Sequence, residues 1–118
     1  MNNLSCNVTT CVYNSQNLCS KESIKIAGKN TITANFTSCE DFRRKTGELT
    51  SSVKSANTML DVTCEAINCE HNKDNKCDAS NITIGGDYAL SEIQTECSTF
   101  VSKIDKLIIN IRLAIIYS

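Results

Sequence analysis

Proline and tryptophan are absent from this chain of 118 residues, and glycine occurs only four times. Aromatic side chains are scarce as well, because the chain has only three Phe and three Tyr. A domain well below ~70 residues rarely buries enough apolar surface to outweigh the entropy of ordering its backbone, so it recruits disulfides or metal ions. The length allows one ordinary domain or two very small ones. The composition favours small cross-linked modules over one large core.

Three further absences restrict where and how the protein acts. The net charge is -1, so the basic surplus typical of nucleic-acid-binding proteins is missing and we expect no nucleic-acid partner. No long uncharged apolar run is present, so we expect no membrane span. The start, MNNLSCNVTT, has neither the basic residues nor the apolar core of a secretory signal. A cytoplasmic location is the default expectation, and an oxidising surface reached after lysis of the cell that made the protein is the alternative.

Cysteine, by contrast, occurs eight times. The cysteines form two runs of C-x4-C-x7-C-x19-C, and each cysteine of the first run is matched 58 residues later. Alignment of 4–42 with 62–100 needs no gap and gives eleven identities in 39 positions, which indicates an internal duplication. The predicted organisation is a first module (1–42), a linker (43–61), a second module (62–100) and an apolar tail (101–118). The candidate site residues are Cys6, Cys11, Cys19, Cys39, Cys64, Cys69, Cys77 and Cys97.

Short strands and turns are indicated within each module. Polar and apolar residues alternate along SIKIAG (23–28) and NITIGG (81–86), which predicts a half-buried strand that ends in a turn at glycine. The polar stretches VYNSQNL (12–18) and EHNKDNK (70–76) predict turns. A second strand is expected in TITANFTSCEDF (31–42), leading into the last cysteine. The predicted fold is therefore small, β-rich, cysteine-stapled modules in tandem repeat.

One short helix or strand is expected after each module. In the linker, GELTSSVKSANTML (47–60) places apolar residues at helical spacing. The tail segment KLIINIRLAIIYS (106–118) fits a heptad-like and an alternating pattern, and its many isoleucines favour a strand. Because an apolar helix or strand has to be shielded from water, we expect the tail to fold back on the modules or to dock into a neighbouring subunit. Residues 1–60 carry seven Lys/Arg against four Asp/Glu, and 61–118 carry five against nine. This asymmetry either reflects ordinary variation of solvated surfaces or steers chains head to tail into a homo-oligomer.

Four cysteines in one module have three chemical uses. Four thiolates complete a tetrahedron around a zinc ion and leave no position for substrate, so such a site is structural. Two disulfides per module would each stabilise the fold by about 2–4 kcal/mol without any cofactor, in a connectivity that the sequence does not determine. Thiolate-bound iron is the third use, although the gaps match neither ferredoxin pattern. The gaps are also wider than the C-x2-C pairs of familiar zinc knuckles.

Catalytic residues are not indicated. The only histidine, His71, lies in a polar stretch two residues after Cys69, and we interpret it as a surface residue. Glu40, Asp41 and Glu65 flank cysteines, but no activated nucleophile or phosphate-binding loop accompanies them. We therefore expect a protein that is not an enzyme.

The repeated pattern resembles a bacterial family known as domain of unknown function 1540. The shared features are the four-cysteine frame, the Asn three residues after the second cysteine (Asn14, Asn72), the Ile-x-Ile strand and an ending in Phe (Phe42, Phe100). The resemblance covers the two modules but neither the linker nor the tail. It implies metal binding through the cysteines, and such proteins are commonly short and come from anaerobic, spore-forming Gram-positive bacteria.

Two functional hypotheses follow. The first is a non-enzymatic structural or interaction protein in which each module binds one structural zinc ion through its four cysteines. The second is a disulfide-stabilised, self-assembling structural protein, for example a spore-surface or filament subunit that uses the 101–118 tail for docking between subunits.

Overall fold

Residues 1–45 and 57–103 are described by a computed structural model of the protein. The element predicted in the tail lies outside these residues, as does most of the helix predicted in the linker. The end of that helix, Met59 and Leu60, is in a strand, so the prediction is wrong there. The reason is tertiary, because Leu60 pairs with Asn2 and its side chain is fully buried. No helix in the described part of the chain is long and apolar enough to cross a membrane.

The two copies contribute the same elements in the same order: five strands, with a 3₁₀ helix before the last. The first copy consists of β1 (Asn2–Cys6), β2 (Asn14–Ser15), β3 (Leu18–Cys19), β4 (Ser23–Ala27), the 3₁₀ helix Ala34–Phe36 and β5 (Ser38–Cys39). The second copy consists of β6 (Met59–Cys64), β7 (Asn72–Lys73), β8 (Lys76–Cys77), β9 (Asn81–Gly85), the 3₁₀ helix Glu92–Gln94 and β10 (Glu96–Cys97). The predicted β-rich tandem repeat is thus confirmed.

The Ile-x-Ile segments form β4 and β9, and their alternating pattern is reproduced in the burial of their side chains. Ile26 and Ile84 are each 1% exposed, and the residue before each of them is not buried. The strand predicted over 31–42 is shorter than expected, because only the two residues of β5 are extended. Gly28, at φ +117°, turns the chain after β4 so closely that an added Cβ would lie 2.8 Å from the Phe36 carbonyl oxygen. The chain therefore returns through a compact loop rather than a long strand.

The stretch between the second and third cysteines of each copy is a tight hairpin. Strands β2 and β3 pair around the two-residue loop Gln16–Asn17, whose φ angles are 53° and 62°. Asp74 and Asn75 repeat this geometry between β7 and β8, with φ angles of 51° and 66°. Two successive residues with positive φ are typical of a type I′ turn, for which asparagine is favoured. This explains why asparagine occurs at both positions 17 and 75.

Strands are exchanged between the two copies. The first strand of the first copy, β1, runs parallel to β9 of the second copy, with Leu4 opposite Ile82. Its counterpart β6 runs parallel to β4, with Val62 opposite Ile24. Strands β1 and β6 pair antiparallel with each other, which gives the order β10-β9-β1-β6-β4-β5. Each copy therefore completes the sheet of the other.

The strand exchange produces one shared core. A single buried cluster includes apolar residues of both copies, with Leu4 and Ile26 from the first and Val62 and Ile84 from the second. This differs from the separate small cores that the composition favoured. Parallel pairing between copies brings the buried faces of four long strands together, so the repeats at 4–42 and 62–100 pack as one unit.

Candidate metal centres

The four cysteines of each copy lie together, although they are far apart in sequence. Cys6, Cys11, Cys19 and Cys39, the first cluster, all line one cavity of about 20 Å³, which is about the space that one water molecule or ion needs. In the second copy, the Cys97 thiol interacts electrostatically with the thiols of the other three cysteines. The second cluster is therefore Cys64, Cys69, Cys77 and Cys97.

Backbone N–H groups point at three of the four thiols in each cluster. Each of these cysteines is the last residue of a strand, and the residue two positions later donates its N–H to the sulfur. Such N–H donors stabilise a thiolate, whether it is free or metal-bound. The donor–acceptor pairs are Val8 to Cys6, Lys21 to Cys19, Asp41 to Cys39, Ala66 to Cys64, Ala79 to Cys77 and Thr99 to Cys97.

The turn after the first strand also positions the second cysteine. The carbonyl oxygen of Val8, whose N–H reaches Cys6, accepts a hydrogen bond from the N–H of Cys11 at 3.0 Å. Ala66 repeats this arrangement with Cys69 at 3.1 Å. Both linking residues are almost fully buried. The C-x4-C spacing therefore forms one closed turn in each copy, and in the first copy both of its cysteines line the same cavity.

Asparagine side chains support the first cysteine of each cluster. The amide nitrogen of Asn14 donates to the carbonyl oxygen of Cys6 at 2.8 Å, and that of Asn72 donates to Cys64 at 2.7 Å. Each amide also hydrogen-bonds the thiol of the same cysteine. Aspartate could not donate in this way, and alanine would leave the strand end without its partner. These contacts explain why both copies have asparagine at this position.

One buried threonine connects each cluster to the opposite copy. The Cys39 N–H donates to Thr95 Oγ1 at 2.8 Å, and the Cys97 N–H donates to Thr37 Oγ1 at 2.8 Å. Each threonine hydroxyl donates in turn to a carbonyl oxygen of its own copy, that of Ala34 for Thr37. Both threonines are 1% exposed. The last cysteine of each cluster is thus held by a side chain of the other repeat.

The thiols are difficult to ionise without a cation. Burial raises the pKa of Cys39 and that of Cys97 to about 12, and the hydrogen bonds from backbone N–H groups offset this only in part. Burial also raises the pKa of Cys6 and that of Cys64, against the opposing effect of their N–H and amide donors. Near neutral pH these thiols hold their protons until a cation replaces them.

The eight sulfurs are neither paired nor arranged as a finished ligand shell. All eight cysteines, each within the described residues, are free thiols. Within residues 1–45 and 57–103, no three side chains of His, Cys, Asp or Glu stand in a geometry that would hold a metal ion as they are placed. The chemistry of the site suits an ion bound by thiolates, because four cysteines, a small cavity and N–H groups directed at the sulfurs occur together. The sulfurs would have to change position to complete its coordination.

The other polar candidates from the sequence lie at the surface beside polar or charged side chains. His71 Nδ1 is 3.9 Å from Asp78 Oδ1, and its side chain is 28% exposed. Lys25 Nζ lies 3.6 Å from Glu40 and 3.7 Å from Glu65. These contacts are those of partly exposed surface groups.

Comparison with known proteins places both repeats in one family. The family model described as Domain of Unknown Function (DUF1540) matches the chain twice, over residues 4–42 and 62–100. These matches coincide with the two alignable repeats and include all eight cysteines. No curated protein and no solved structure matches the chain.

Proposed function

The chain belongs to the DUF1540 family, and on that premise we propose that each of its copies binds one structural zinc ion through four cysteines. The protein would then be a non-enzymatic structural or interaction protein. One observation carries the proposal: the four thiols of each copy lie together, and three of them, at strand ends, accept an N–H from the residue two positions later. That arrangement is suited to a charged tetrathiolate and has no use in a purely apolar core.

Zinc is the metal that this donor set favours. Zinc takes four cysteine thiolates in a tetrahedron with Zn–S distances of about 2.3 Å, and it is released reluctantly from such sites. The N–H donors offset the negative charge that four thiolates bring. A site with four protein ligands leaves no open position for substrate, which supports a structural rather than a catalytic role.

The ion would cross-link strands that have few hydrogen bonds to the rest of the sheet. In the first cluster, Cys6 ends the long strand β1, whereas Cys19 and Cys39 end the two-residue strands β3 and β5. Two-residue strands contribute few ladder hydrogen bonds, so a shared ion is an effective connection between them. Because β1 also pairs with β9, each ion stabilises the contact between the copies.

Metal content of the full chain tests the proposal. Protein purified from zinc-supplemented cells is expected to contain two zinc ions per chain by elemental mass spectrometry. Cys39→Ser should retain only the ion of the second cluster, and Cys97→Ser only that of the first. Ser5→Ala, a substitution outside both cysteine sets, serves as the control and should keep two ions. Far less than one ion per copy in the unmodified protein would refute metal binding.

The same sample also tests the disulfide alternative. Intact mass distinguishes eight thiols from four disulfides, since each disulfide lowers the mass by two hydrogens. A zinc-free protein with oxidised cysteines would replace the zinc proposal with the disulfide-stabilised assembly. Homo-oligomerisation through 101–118 stays a prediction, as do the cytoplasmic location and the lack of catalysis, and sedimentation equilibrium measures the first of these directly.

A further inference from the structure

The long strands of each repeat have their main partners in the other repeat. Both ladder partners of β1, which are β6 and β9, belong to the second copy. Strand β4 pairs with β6 from Ser23 to Ile26, whereas its ladder with β5 of its own copy covers Ile26 and Ala27. A repeat of about 40 residues is too small to bury a stable core alone. A repeat separated from its partner would therefore expose a strand edge and an apolar face.

Much of the surface that the repeats share is the same in both of them. Thr37 and Thr95 accept equivalent hydrogen bonds from the last cysteine of the opposite copy. Ile26 and Ile84 are equally buried in the shared core. A pair of like repeats could keep these contacts, so they do not determine which repeat pairs with which.

Polar side chains where the repeats meet are not the same in both. The buried Ser38 donates its hydroxyl to Glu92 Oε2 across the repeats at 2.9 Å. At the 58-residue offset, the counterpart of Ser38 is Glu96, and that of Glu92 is Ala34. Two second repeats would therefore bring the Glu92 carboxylate against that of Glu96, and like charges this close repel each other. Two first repeats would place Ser38 against Ala34 and lose the hydrogen bond.

A second contact between the repeats has the same preference. Glu65 accepts the Gly28 N–H at 3.1 Å, and its carboxylate lies 3.7 Å from Lys25 Nζ. The counterpart of Glu65 is Asn7, and that of Lys25 is Thr83. Two second repeats would place Glu65 beside Thr83, and two first repeats would place Lys25 beside Asn7. Neither arrangement forms the ion pair, although an exposed pair of this kind contributes little energy by itself.

We infer that the surface between the repeats is also a docking surface for a second copy of this chain, on which the first repeat of one chain accepts the second repeat of the other. Ser38, Glu92 and Glu96 are the residues that select an unlike repeat over a like one. Each chain then supplies one repeat to each of two equivalent units, so the dimer is closed, and exchange of identical elements is a low-cost route to such dimers. This assembly uses neither the 101–118 tail nor bound zinc.

Refolding of the full chain at two concentrations tests the docking. The covalent connection between the repeats gives an effective concentration of mM order, so the dimer should be minor at about 10 µM and comparable with the monomer at about 1 mM. The chain is unfolded in urea with a reductant, refolded at each concentration and measured by sedimentation velocity. A chain that stays monomeric after refolding at the higher concentration would overturn the inference without any variant.

Two variant chains refolded together test which repeats pair. One chain carries Ser38→Glu and the other carries Glu92→Lys. The inferred mixed dimer joins the new carboxylate at position 38 to the new ammonium at position 92, and its other half keeps the native contact between Ser38 and Glu92. Native mass spectrometry separates the three dimers because the chains differ in mass. The ratio of mixed to unmixed dimers should rise several-fold above the equality that random pairing gives.

Chains with Ser38→Gln and with Glu92→Gln are the matched control, because they change the same two positions without placing opposite charges there. Their ratio of mixed to unmixed dimers should stay near equality. For the charged chains, equality would overturn the inference, since dimers joined through 101–118 would mix at random. An excess of the Glu92→Lys homodimer would also overturn it, because paired second repeats would place the new ammonium against Glu96. Zinc content is measured separately, so either proposal can fail while the other stands.

Discussion

Thr95→Val probes the connection between the second repeat and the first cluster. Thr95 Oγ1 accepts the Cys39 N–H at 2.8 Å, and its own hydroxyl donates to the Glu92 carbonyl oxygen at 2.6 Å. The side chain is 1% exposed, so water does not replace the lost oxygen. Valine has nearly the same shape, and the substitution therefore removes hydrogen bonds without leaving a large cavity.

The expected loss of stability follows from the unsatisfied donor. A buried N–H that loses its acceptor costs about 1–3 kcal/mol, so the free energy of unfolding should fall by about 2 kcal/mol. Because Cys39 belongs to the first cluster, the zinc affinity of that cluster should fall, by roughly tenfold for each 1.4 kcal/mol that reaches the site. The second cluster, which contains the nearer sequence neighbour Cys97, should be nearly unaffected.

Urea unfolding of the zinc-free chain measures the first effect, and chelator competition with alkylation mapping measures the second. Thr95→Ser keeps the hydroxyl and should behave like the unmodified protein. Thr37→Val should give the mirror result and weaken the second cluster. A loss of affinity confined to the second cluster in Thr95→Val, or a stability change below about 0.5 kcal/mol, would refute the exchanged arrangement of the two copies.

Three further predictions concern single features of the repeat. Gly86→Ala should lower the free energy of unfolding, measured in urea, by about 3 kcal/mol or more. The reason is that φ at Gly86 is +118° and the new Cβ would lie 2.6 Å from the Gln94 carbonyl oxygen. A variant as stable as the unmodified protein would contradict this turn geometry. Asn14→Ala should lower zinc affinity at the first cluster alone, as read by alkylation mapping, since both hydrogen bonds to Cys6 are lost. The metal-free protein should lose stability as pH rises from about 9 to about 12, because burial raises the pKa of the last cysteine of each cluster to about 12 and the unfolded chain releases those protons first. Thermal melts across this pH range check the sign, and stability that increased there would contradict the burial of these thiols.

The sequence predicted individual strands of the fold but not which strands pair with each other. The Ile-x-Ile alternation predicted β4 and β9, because period-two burial is a property of one strand alone. It did not predict that β1 pairs with β9, since Leu4 and its counterpart Val62 would satisfy the same pattern beside either copy. Pairing between identical patterns is decided by the connections and the twist of the whole sheet. Neither has a signature in a short stretch of sequence.

The cysteines of the candidate site could be predicted from the sequence, but the backbone N–H groups that donate to their sulfurs could not. Eight cysteines at one repeated spacing indicated two clusters, and the structure brings each set of four together. The N–H donors such as Val8 were missed, because a backbone group two residues after a strand end has no side-chain signature. The C-x4-C gap is at the edge of the usual range for zinc sites, yet in the first copy a closed turn places both of its sulfurs on one cavity. The identity of Asn14 and Asn72 was the one visible signal of this support.

Zinc K-edge X-ray absorption of the full chain tests the central claim most directly. With both clusters occupied, the account predicts a first shell of four sulfur atoms per zinc at about 2.3 Å. Cys39→Ser should leave the same shell at half the zinc content, because the second cluster is untouched. A first shell of nitrogen or oxygen atoms, or a protein that binds no zinc with its eight thiols reduced, would contradict the account.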